Sequence, residues 1–398
     1  MTVLIDLDAA PPPPSHPRPR WSTTRPAFLA ALLVLASCLG GAALPERVDG
    51  LTRVGEARAF TARLLTADAL LTAHAEQAGS RIESAPLTPG GPRWTATVTA
   101  GLPVLTLGGD GRTLMAQPRE QEGRTTFLDA RTGKVLWTAP EFAKIHLAGA
   151  RVALWTWDDE NLTGKLRMAD LATGRTVWSR GADLLAMDGD ATRLITVDPA
   201  GTGSVLAVAD GRVLTAGRDL GLDVEGWGFD YAGRSSSEAV LGDTLYWWSP
   251  TALTAYRVGD LGQRWKVEIP PTDRLVPCGG LVCALGRNVT TAIDPATGAT
   301  RWAAPWRTIT PGGVAVTVAG RVARLDPATG RVVAELGRGS PVGGLLLRFE
   351  RDRTWVASLA DGRIIGVLPL VFPTECDVSG PFLACPATGE TVSVWRVE

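Results

Sequence analysis

The amino-acid sequence predicts an all-β protein built from a repeated unit of about 40 residues. Beyond position 50, apolar residues come in short blocks rich in Val, Leu, Thr and Trp, and each block is bounded by Gly, Pro or Asp. Such blocks are typical of strands. A phrase of the form D-x-A-T-G, followed a few residues later by Trp, returns along the chain. Four-stranded units of this length are the blades of a β-propeller.

The repeated phrase predicts a turn between two strands. Its Asp accepts backbone N–H bonds where the turn begins, and its Gly takes a positive φ where the turn closes. The next strand delivers a Trp that is large enough to pack on the turn of the neighbouring blade. The clearest copies are Leu128–Trp137, Ala169–Trp178, Ile293–Trp302 and Leu325–Ala334. We assign this structural docking to Asp129, Asp170, Asp294, Asp326, Gly133, Gly174, Gly298, Gly330, Trp137, Trp178 and Trp302.

Degenerate copies extend the repeat over the rest of the chain. Their aligned glycines are Gly91, Gly211, Gly262, Gly362 and Gly389. A longer gap before Gly262 holds residues 221–237, which we interpret as an inserted loop. About 345 residues follow the N-terminal region, which allows seven or eight blades, and we favour eight. We expect the C-terminal stretch ETVSVWRVE to complete the ring, and at least the second half of the helix-like run Arg58–Gln77 to be strand.

The N-terminal region predicts a membrane attachment. Residues 1–26 are polar and rich in proline, so we expect a disordered tail on the cytoplasmic side. Ala27–Leu44 carries no charge and has the minimum length of a membrane-spanning helix. Arginines precede it, and the positive-inside rule then places the rest of the chain outside the cytoplasm, in a single-pass topology. We expect a linker at residues 45–57 and the propeller at residues 58–398.

Two other interpretations of this apolar segment remain open. Leu35-Ala36-Ser37-Cys38 resembles a bacterial lipobox, in which the cysteine receives a lipid anchor after signal cleavage. The apolar run continues past Cys38, whereas a lipoprotein usually turns polar there, so we favour the uncleaved anchor. A plain cleaved signal is the third alternative. All three place the propeller outside the cytoplasm.

The other four cysteines form two local pairs. Cys278 and Cys283 flank one short loop, and Cys376 and Cys385 flank another. In hairpins with four-residue loops, Gly279–Val282 and Ser379–Phe382, each pair lies on opposite strands within disulfide range. Export favours disulfides, and four free buried cysteines are the alternative. Neither pair has the spacing of a zinc site.

Composition excludes some classes of function. The formal net charge is −1, so nothing points to a nucleic-acid partner or an anionic surface. Basic residues are almost all arginine, which together with abundant Ala, Gly and Pro indicates a high-GC bacterial genome. Three histidines, His16, His74 and His146, are scattered, and we expect no metal site from them. The acidic stretch Trp157–Gly164 is interpreted as a solvated loop rather than a calcium site.

The turn phrase carries a family resemblance. The pattern A-x-D-x-x-T-G-K/R-x-x-W resembles the tryptophan-docking motif of the pyrroloquinoline-quinone (PQQ)-like propeller repeat. Ala292–Trp302 and Met168–Trp178 match it well, and Phe127–Trp137 lacks only the first Ala. The family includes quinoprotein dehydrogenases and a non-catalytic set with the propeller lipoprotein of the outer-membrane β-barrel assembly machinery.

The resemblance implies the fold over roughly residues 60–398, and function has to be argued from sites. Dehydrogenases of the family carry adjacent cysteines at the quinone and acidic and Asn ligands for calcium. No two cysteines are adjacent in this sequence, and no sequence motif of a hydrolase or nucleotide-binding protein is present. We therefore expect a non-catalytic binding or scaffold module with an unknown protein partner at the cell envelope, and no cofactor. A quinoprotein-like oxidoreductase and a ligand-sensing domain are the alternatives.

Overall fold

A computed structural model describes residues 50–398 except 59–61, 120–122, 141–142, 159–162, 182–183, 188–191, 199, 222–237, 250, 373–374 and 388–390. The predicted tail and anchor, and nearly all of the predicted inserted loop, lie outside these residues. In the part of the chain that is described, the structure has no helix with the length and apolar character that a membrane crossing requires.

The described residues form 36 strands in nine four-stranded sheets, which are numbered as blades 1 to 9. Blades 1 to 4 consist of β2 Ala62–Leu65, β3 Ala69–Glu76, β4 Gly79–Pro86 and β5 Trp94–Val98; β6 Val104–Leu107, β7 Thr113–Gln117, β8 Thr126–Asp129 and β9 Val135–Thr138; β10 Lys144–Ala148, β11 Arg151–Asp158, β12 Thr163–Asp170 and β13 Thr176–Gly181; and β14 Leu184–Met187, β15 Arg193–Val197, β16 Thr202–Ala207 and β17 Val213–Asp219.

Blades 5 to 8 follow the same plan. They consist of β18 Glu238–Leu241, β19 Thr244–Trp248, β20 Ala252–Arg257 and β21 Gln263–Glu268; β22 Arg274–Cys278, β23 Leu281–Leu285, β24 Thr290–Ile293 and β25 Thr300–Ala304; β26 Thr308–Ile309, β27 Val314–Val316, β28 Arg321–Leu325 and β29 Val332–Arg338; and β30 Ser340–Val342, β31 Leu345–Glu350, β32 Arg353–Ser358 and β33 Ile364–Pro369.

Blade 9 joins the two ends of the described chain. Its strands are β34 Asp377–Ser379, β35 Phe382–Ala387, β36 Thr391–Val397 and β1 Leu51–Arg58, in the order β1-β36-β35-β34. Leu51 pairs with Val397 and Arg58 with Thr391 in an antiparallel register. The expected linker at residues 45–57 is therefore wrong from Leu51 onward, because these residues form the outer strand of the last blade.

The all-β propeller is confirmed, but the expected blade number was wrong. Seven or eight blades were expected, and the described residues form nine. Two causes account for the difference. The turns of the later blades are closer together than the assumed 40 residues, since Gly298, Gly330 and Gly362 are each about 32 residues apart. The last blade also takes its fourth strand from β1, which was not counted. Within the helix-like run, the second half is strand β3, as expected.

Each blade places its first strand nearest the centre of the ring. Neighbouring strands within a blade are antiparallel and, apart from β1 in blade 9, follow one another along the chain. The first strands of adjacent blades lie side by side, as β2 does with β6 and with β34. The apolar core is divided among the interfaces between blades. Blade 9, for example, contributes Phe382 and Val394 to a cluster with Leu65 and Leu70 of blade 1, which closes the ring.

Candidate functional site

The repeated turn holds its carboxylate in a dense set of hydrogen bonds. Asp129 Oδ1 accepts the backbone N–H groups of Arg131 at 3.0 Å and Thr132 at 2.8 Å, and the Thr132 hydroxyl at 2.8 Å. Gly133 closes the turn by donating its N–H to the Asp129 carbonyl, with φ of 72°. Burial acts to raise the pKa of Asp129, but the hydrogen bonds from Thr132 and Arg131 outweigh it and the pKa is lowered.

The three other predicted aspartates occupy the same place in their turns. Asp170 accepts the N–H and hydroxyl of Thr173 at 2.9 and 2.7 Å. Asp294 binds the Arg301 guanidinium and the Ala296 N–H, which lower its pKa, and the Thr329 hydroxyl and Ala328 N–H do the same for Asp326. These carboxylates therefore form their hydrogen bonds within the turns of their own blades.

Each predicted Trp packs on the turn glycine of the next blade. Trp137 of blade 2 lies on Gly174 of blade 3, and a Cβ placed on that glycine would lie 2.5 Å from the indole ring. The indole Nε1 donates to the carbonyl three residues before the glycine, Leu171, at 2.9 Å. The ring excludes any side chain at position 174, and φ of 67° there also requires glycine.

The same contact recurs at four other interfaces. In chain order, the remaining Trp–Gly pairs with their carbonyl acceptors are Trp94–Gly133 with Ala130, Trp178–Gly211 with Val208, Trp265–Gly298 with Pro295, and Trp302–Gly330 with Pro327, at Nε1–O distances of 2.8–3.0 Å. The sequence reasoning missed Trp94 and Trp265. Their glycines, Gly91 and Gly262, were aligned, but in both copies the Trp comes one residue earlier after the glycine than in the clearest copies.

Two interfaces replace the Trp with another hydrogen-bond donor. At the blade 4 to blade 5 interface, Thr215 stands where the other blades have Trp, and its hydroxyl donates to the Gly259 carbonyl at 2.7 Å. Between blades 7 and 8, Ala334 takes that place, and Arg324, its cross-strand partner, donates to the carbonyls of Leu359 and Ala360. At both interfaces the carbonyl three residues before the turn glycine still accepts a hydrogen bond, although no Trp donates it.

Both disulfides are present, as predicted. Cys278–Cys283 lies in blade 6 with a Cα–Cα distance of 5.9 Å, and Cys376–Cys385 lies in blade 9 at 4.3 Å. Both expected four-residue loops were wrong. β34 and β35 pair Ser379 with Phe382 across Gly380 and Pro381. β22 and β23 pair Cys278 with Leu281 across a two-residue turn of glycines with positive φ. Cys283 therefore lies opposite Val276, and the disulfide bridges diagonally.

Charged groups meet near the inner strands. Lys144 of β10 lies 3.8 Å from Glu238 of β18, and Arg63 of β2 lies 3.0 Å from Asp377 of β34. Burial raises the pKa of Glu238, although the Lys144 charge acts in the opposite direction. His146, two residues from Lys144 on β10, has a pKa lowered to about 4, first by burial and then by the Lys144 charge. Its Nε2 is buried without a hydrogen-bond partner among the described residues.

A cavity of about 440 Å³ opens between blades 5 and 6. Pro277, Leu281 and Val282 of blade 6 supply apolar walls, and Asp243 and Arg264 of blade 5 form an ion pair at its edge, at 2.5 Å. Burial acts to raise the pKa of Asp243, but the hydrogen bonds from Arg264 and Thr244 lower it. Mostly apolar concave sites with a few oriented polar groups are typical binding sites.

The adjacent aromatic side chains of β19 do not form an exposed ligand platform. Tyr246, Trp247 and Trp248 are all buried in interblade cores, so neither Trp faces solvent. The centre of the acidic stretch Trp157–Gly164, residues 159–162, lies outside the described residues. No group of His, Cys, Asp and Glu in the described part of the chain is arranged to hold a metal ion.

The nine blades and their Trp-on-Gly contacts define a propeller of the PQQ-like repeat type. A family model described as outer membrane protein assembly factor BamB matches residues 67–334, about two thirds of the sequence. The chain belongs to this family. The match spans blades 1 to 7, apart from the first strand of blade 1 and the end of the last strand of blade 7.

Solved structures show weaker similarity. BamB from Moraxella catarrhalis is 18% identical with a TM-score of 0.47, covering 87% of this chain and 97% of that one. The quinohemoprotein alcohol dehydrogenase from Comamonas testosteroni is 12% identical with a TM-score of 0.45, covering 88% and 77%. These likenesses are too weak to assign an activity to this chain. No curated protein matches the sequence.

Proposed function

We propose that this chain is a membrane-anchored, extracytoplasmic propeller that binds a protein partner and acts as a scaffold without catalysis. Its membership of a family described as an assembly factor carries the proposal. The repeated carboxylates and tryptophans support it, because their hydrogen bonds tie turns and blades together, as in Asp129 and Trp137. These residues therefore recur because every blade needs the same turn and the same contact with its neighbour.

The described residues do not fit a quinone site of the kind found in dehydrogenases with this fold. The cysteines are joined within two separate hairpins, and Cys278, Cys283 and Cys385 have no exposed surface. Of the acidic side chains near the inner strands, Glu238 is paired with Lys144 and Asp377 with Arg63. Both the disulfides and these carboxylates are therefore engaged in holding strands together.

The cavity between blades 5 and 6 is the place where we expect the partner to bind. A Leu281→Asp variant puts a charge into its apolar wall, and Val135→Asp is the control on an exposed position of blade 2, where the side chain is 44% exposed. The full chain would be cross-linked in its native membrane and purified, and the co-purified proteins identified. A partner kept by wild type and Val135→Asp and lost by Leu281→Asp supports the proposal.

A second assay addresses catalysis directly. Purified full chain is incubated with PQQ and calcium, and dye reduction is measured with alcohols and sugars as substrates. We expect neither quinone binding nor dye reduction. Quinone binding with dye reduction would replace the scaffold proposal with an oxidoreductase.

The anchor has its own test. With residues 1–26 in the cytoplasm, protease added to intact spheroplasts removes the propeller and leaves the N-terminal tail protected. A tail that is cleaved from outside contradicts the single-pass topology, and a diacylglyceryl group found on Cys38 by mass spectrometry establishes the lipoprotein instead.

A further inference from the structure

The cavity between blades 5 and 6 combines apolar walls with one pair of charges. Its walls include Pro277, Leu281 and Val282 of blade 6, and among the described residues that line it only Asp243 and Arg264 carry a charge. Its volume of about 440 Å³ has room for more than one apolar side chain, because about 150 Å³ is enough for a benzene ring. An apolar side chain from outside the propeller therefore fits this site.

The two charges at the cavity neutralise each other. Arg264 donates a hydrogen bond to the Asp243 carboxylate at 2.5 Å, so neither charge is left to pair with a charged ligand. An ionised side chain that entered the cavity would lose water without gaining a counter-charge, which is strongly unfavourable. The group that enters the cavity is therefore expected to be uncharged.

The same ion pair is suited to bind the main chain of a peptide. The Asp243 side chain is 66% exposed, and each carboxylate oxygen can accept two hydrogen bonds. Arg264 is partly exposed, and its Nε has no hydrogen-bond partner among the described residues, so the guanidinium has donor capacity left over. An extended segment presents free N–H and C=O groups to such a pair, whereas a helix uses these groups internally.

From these observations we propose that the cavity binds an extended, uncharged segment of the partner protein. The segment inserts an apolar side chain against Pro277 and Leu281, and its main chain forms hydrogen bonds with Asp243 and Arg264. This inference rests on the proposed function, which expects a protein partner at this cavity, and it states the chemistry by which that partner is recognised. The apolar side chain gains free energy by leaving water, and the main-chain hydrogen bonds hold the segment in place.

Two turns with the same sequence supply a matched pair of variants. Residues 294–298 and 326–330 both read DPATG. Their alanines, Ala296 and Ala328, are exposed and donate their N–H groups to the turn aspartates at 2.9 and 3.0 Å, but of the two only Ala296 lines the cavity. Ala296→Trp therefore narrows the cavity, and Ala328→Trp places the same side chain one blade away. Thermal melting checks that both variants keep the wild-type fold.

Peptide selection on the full chain in detergent tests the chemistry. Random heptapeptides displayed on phage are selected on wild type, and those that also bind Ala296→Trp are removed. We expect the remaining sequences to share one apolar position without charged neighbours. Fluorescence polarisation of a labelled synthetic peptide should give the same Kd for wild type and Ala328→Trp, and a Kd weaker by about tenfold or more for Ala296→Trp. Asp or Lys in place of the apolar residue should weaken binding to wild type by a similar factor.

Methylating the main-chain N–H groups of the peptide one at a time tests the extended conformation. One methyl group is expected to weaken binding to wild type about tenfold and to leave binding to Asp243→Ala unchanged, because that variant lacks the acceptor. If no single methyl group has this effect, the main-chain contact is refuted.

The other outcomes separate this inference from the proposed function. A shared charged residue, or no sequence whose binding depends on position 296, refutes the apolar segment, whereas the proposed function stands if Leu281→Asp still loses a partner in native membranes. Apolar peptides that bind while no native partner is lost support the cavity chemistry and overturn the proposed function. Wild type that dimerises on concentration, while Ala296→Trp stays monomeric, assigns the cavity to a second copy of this chain and refutes the inference.

Discussion

Substituting alanine for turn glycines offers a direct measurement of the contact between blades. Gly330 and Gly362 have nearly the same backbone, with φ of 69° and 74°. A Cβ at position 330 would lie 2.6 Å from the indole of Trp302, whereas nothing lies within 4 Å of a Cβ at position 362. The two positions therefore differ in the Trp contact and share the backbone requirement.

The expected free-energy changes follow from these distances. In both variants alanine in the left-handed region costs about 1–2 kcal/mol. At position 330 the indole also has to move away, which adds about 1–3 kcal/mol for overpacking. The displacement weakens the 2.8 Å hydrogen bond from Trp302 Nε1 to Pro327, a further loss of about 1 kcal/mol. Gly330→Ala is thus expected to lose about 2–4 kcal/mol more than Gly362→Ala.

Urea unfolding of the full chain in detergent, followed by tryptophan fluorescence, measures the difference. The denaturant dependence of the transition has to be the same in both variants for their midpoints to be compared. Equal loss of unfolding free energy in Gly330→Ala and Gly362→Ala would show that the indole yields without cost, and the proposed role of Trp302 in joining blades 6 and 7 would be refuted.

Three further predictions test the structure. Trp302→Ala is expected to lower the free energy of unfolding by about 3–5 kcal/mol and Thr215→Ala by about 1 kcal/mol, because the threonine supplies only a hydrogen bond; equal melting shifts contradict this. The folded-state pKa of His146 is about 4, below its ordinary value. The neutral imidazole therefore stabilises the fold above pH 6.5, and the free energy of unfolding drops by about 3 kcal/mol as the pH falls toward 4. His146→Leu should remove this loss in urea titrations across that range, and an unchanged pH dependence refutes it. Replacing Cys376 and Cys385 together by serine is expected to lower the free energy of unfolding by about 2–3 kcal/mol. A reducing agent should destabilise wild type more than the double variant, in which only the Cys278–Cys283 bridge is left to reduce.

The repeat could be predicted from the sequence because its turn chemistry is local. In Asp129 and Gly133, hydrogen bonds and a positive φ are satisfied within a few residues, so the pattern is visible in the letters. Hydrogen bonds between side chains and carbonyls of different blades leave no such local pattern in the sequence. Thr215 and Arg324 take over the Trp hydrogen bond from positions that only the packing of neighbouring blades reveals.

Blade number and hairpin register depended on geometry that the sequence does not display. Position 51 begins a strand only because Val397 lies beside it, and a distant partner leaves no local signal. At Cys278, two glycines allowed a two-residue turn, and a change of loop length moved the opposite residue from Cys283 to Leu281. The apposition of Lys144 and Glu238 likewise needed two nonadjacent blades.

The shared last blade ties the order of synthesis to the order of folding. Thr52 and Glu398, 346 positions apart, lie beside each other. β1, the first propeller strand to leave the ribosome, can therefore pair only after β36, the last strand, has been synthesised. Closing a loop of that length costs about 5 kcal/mol in chain entropy plus a constant, a cost met before the final contacts form. Until β36 has been synthesised, β1 remains an unpaired edge open to aggregation. Deleting β1 and deleting β36 therefore damage one and the same blade.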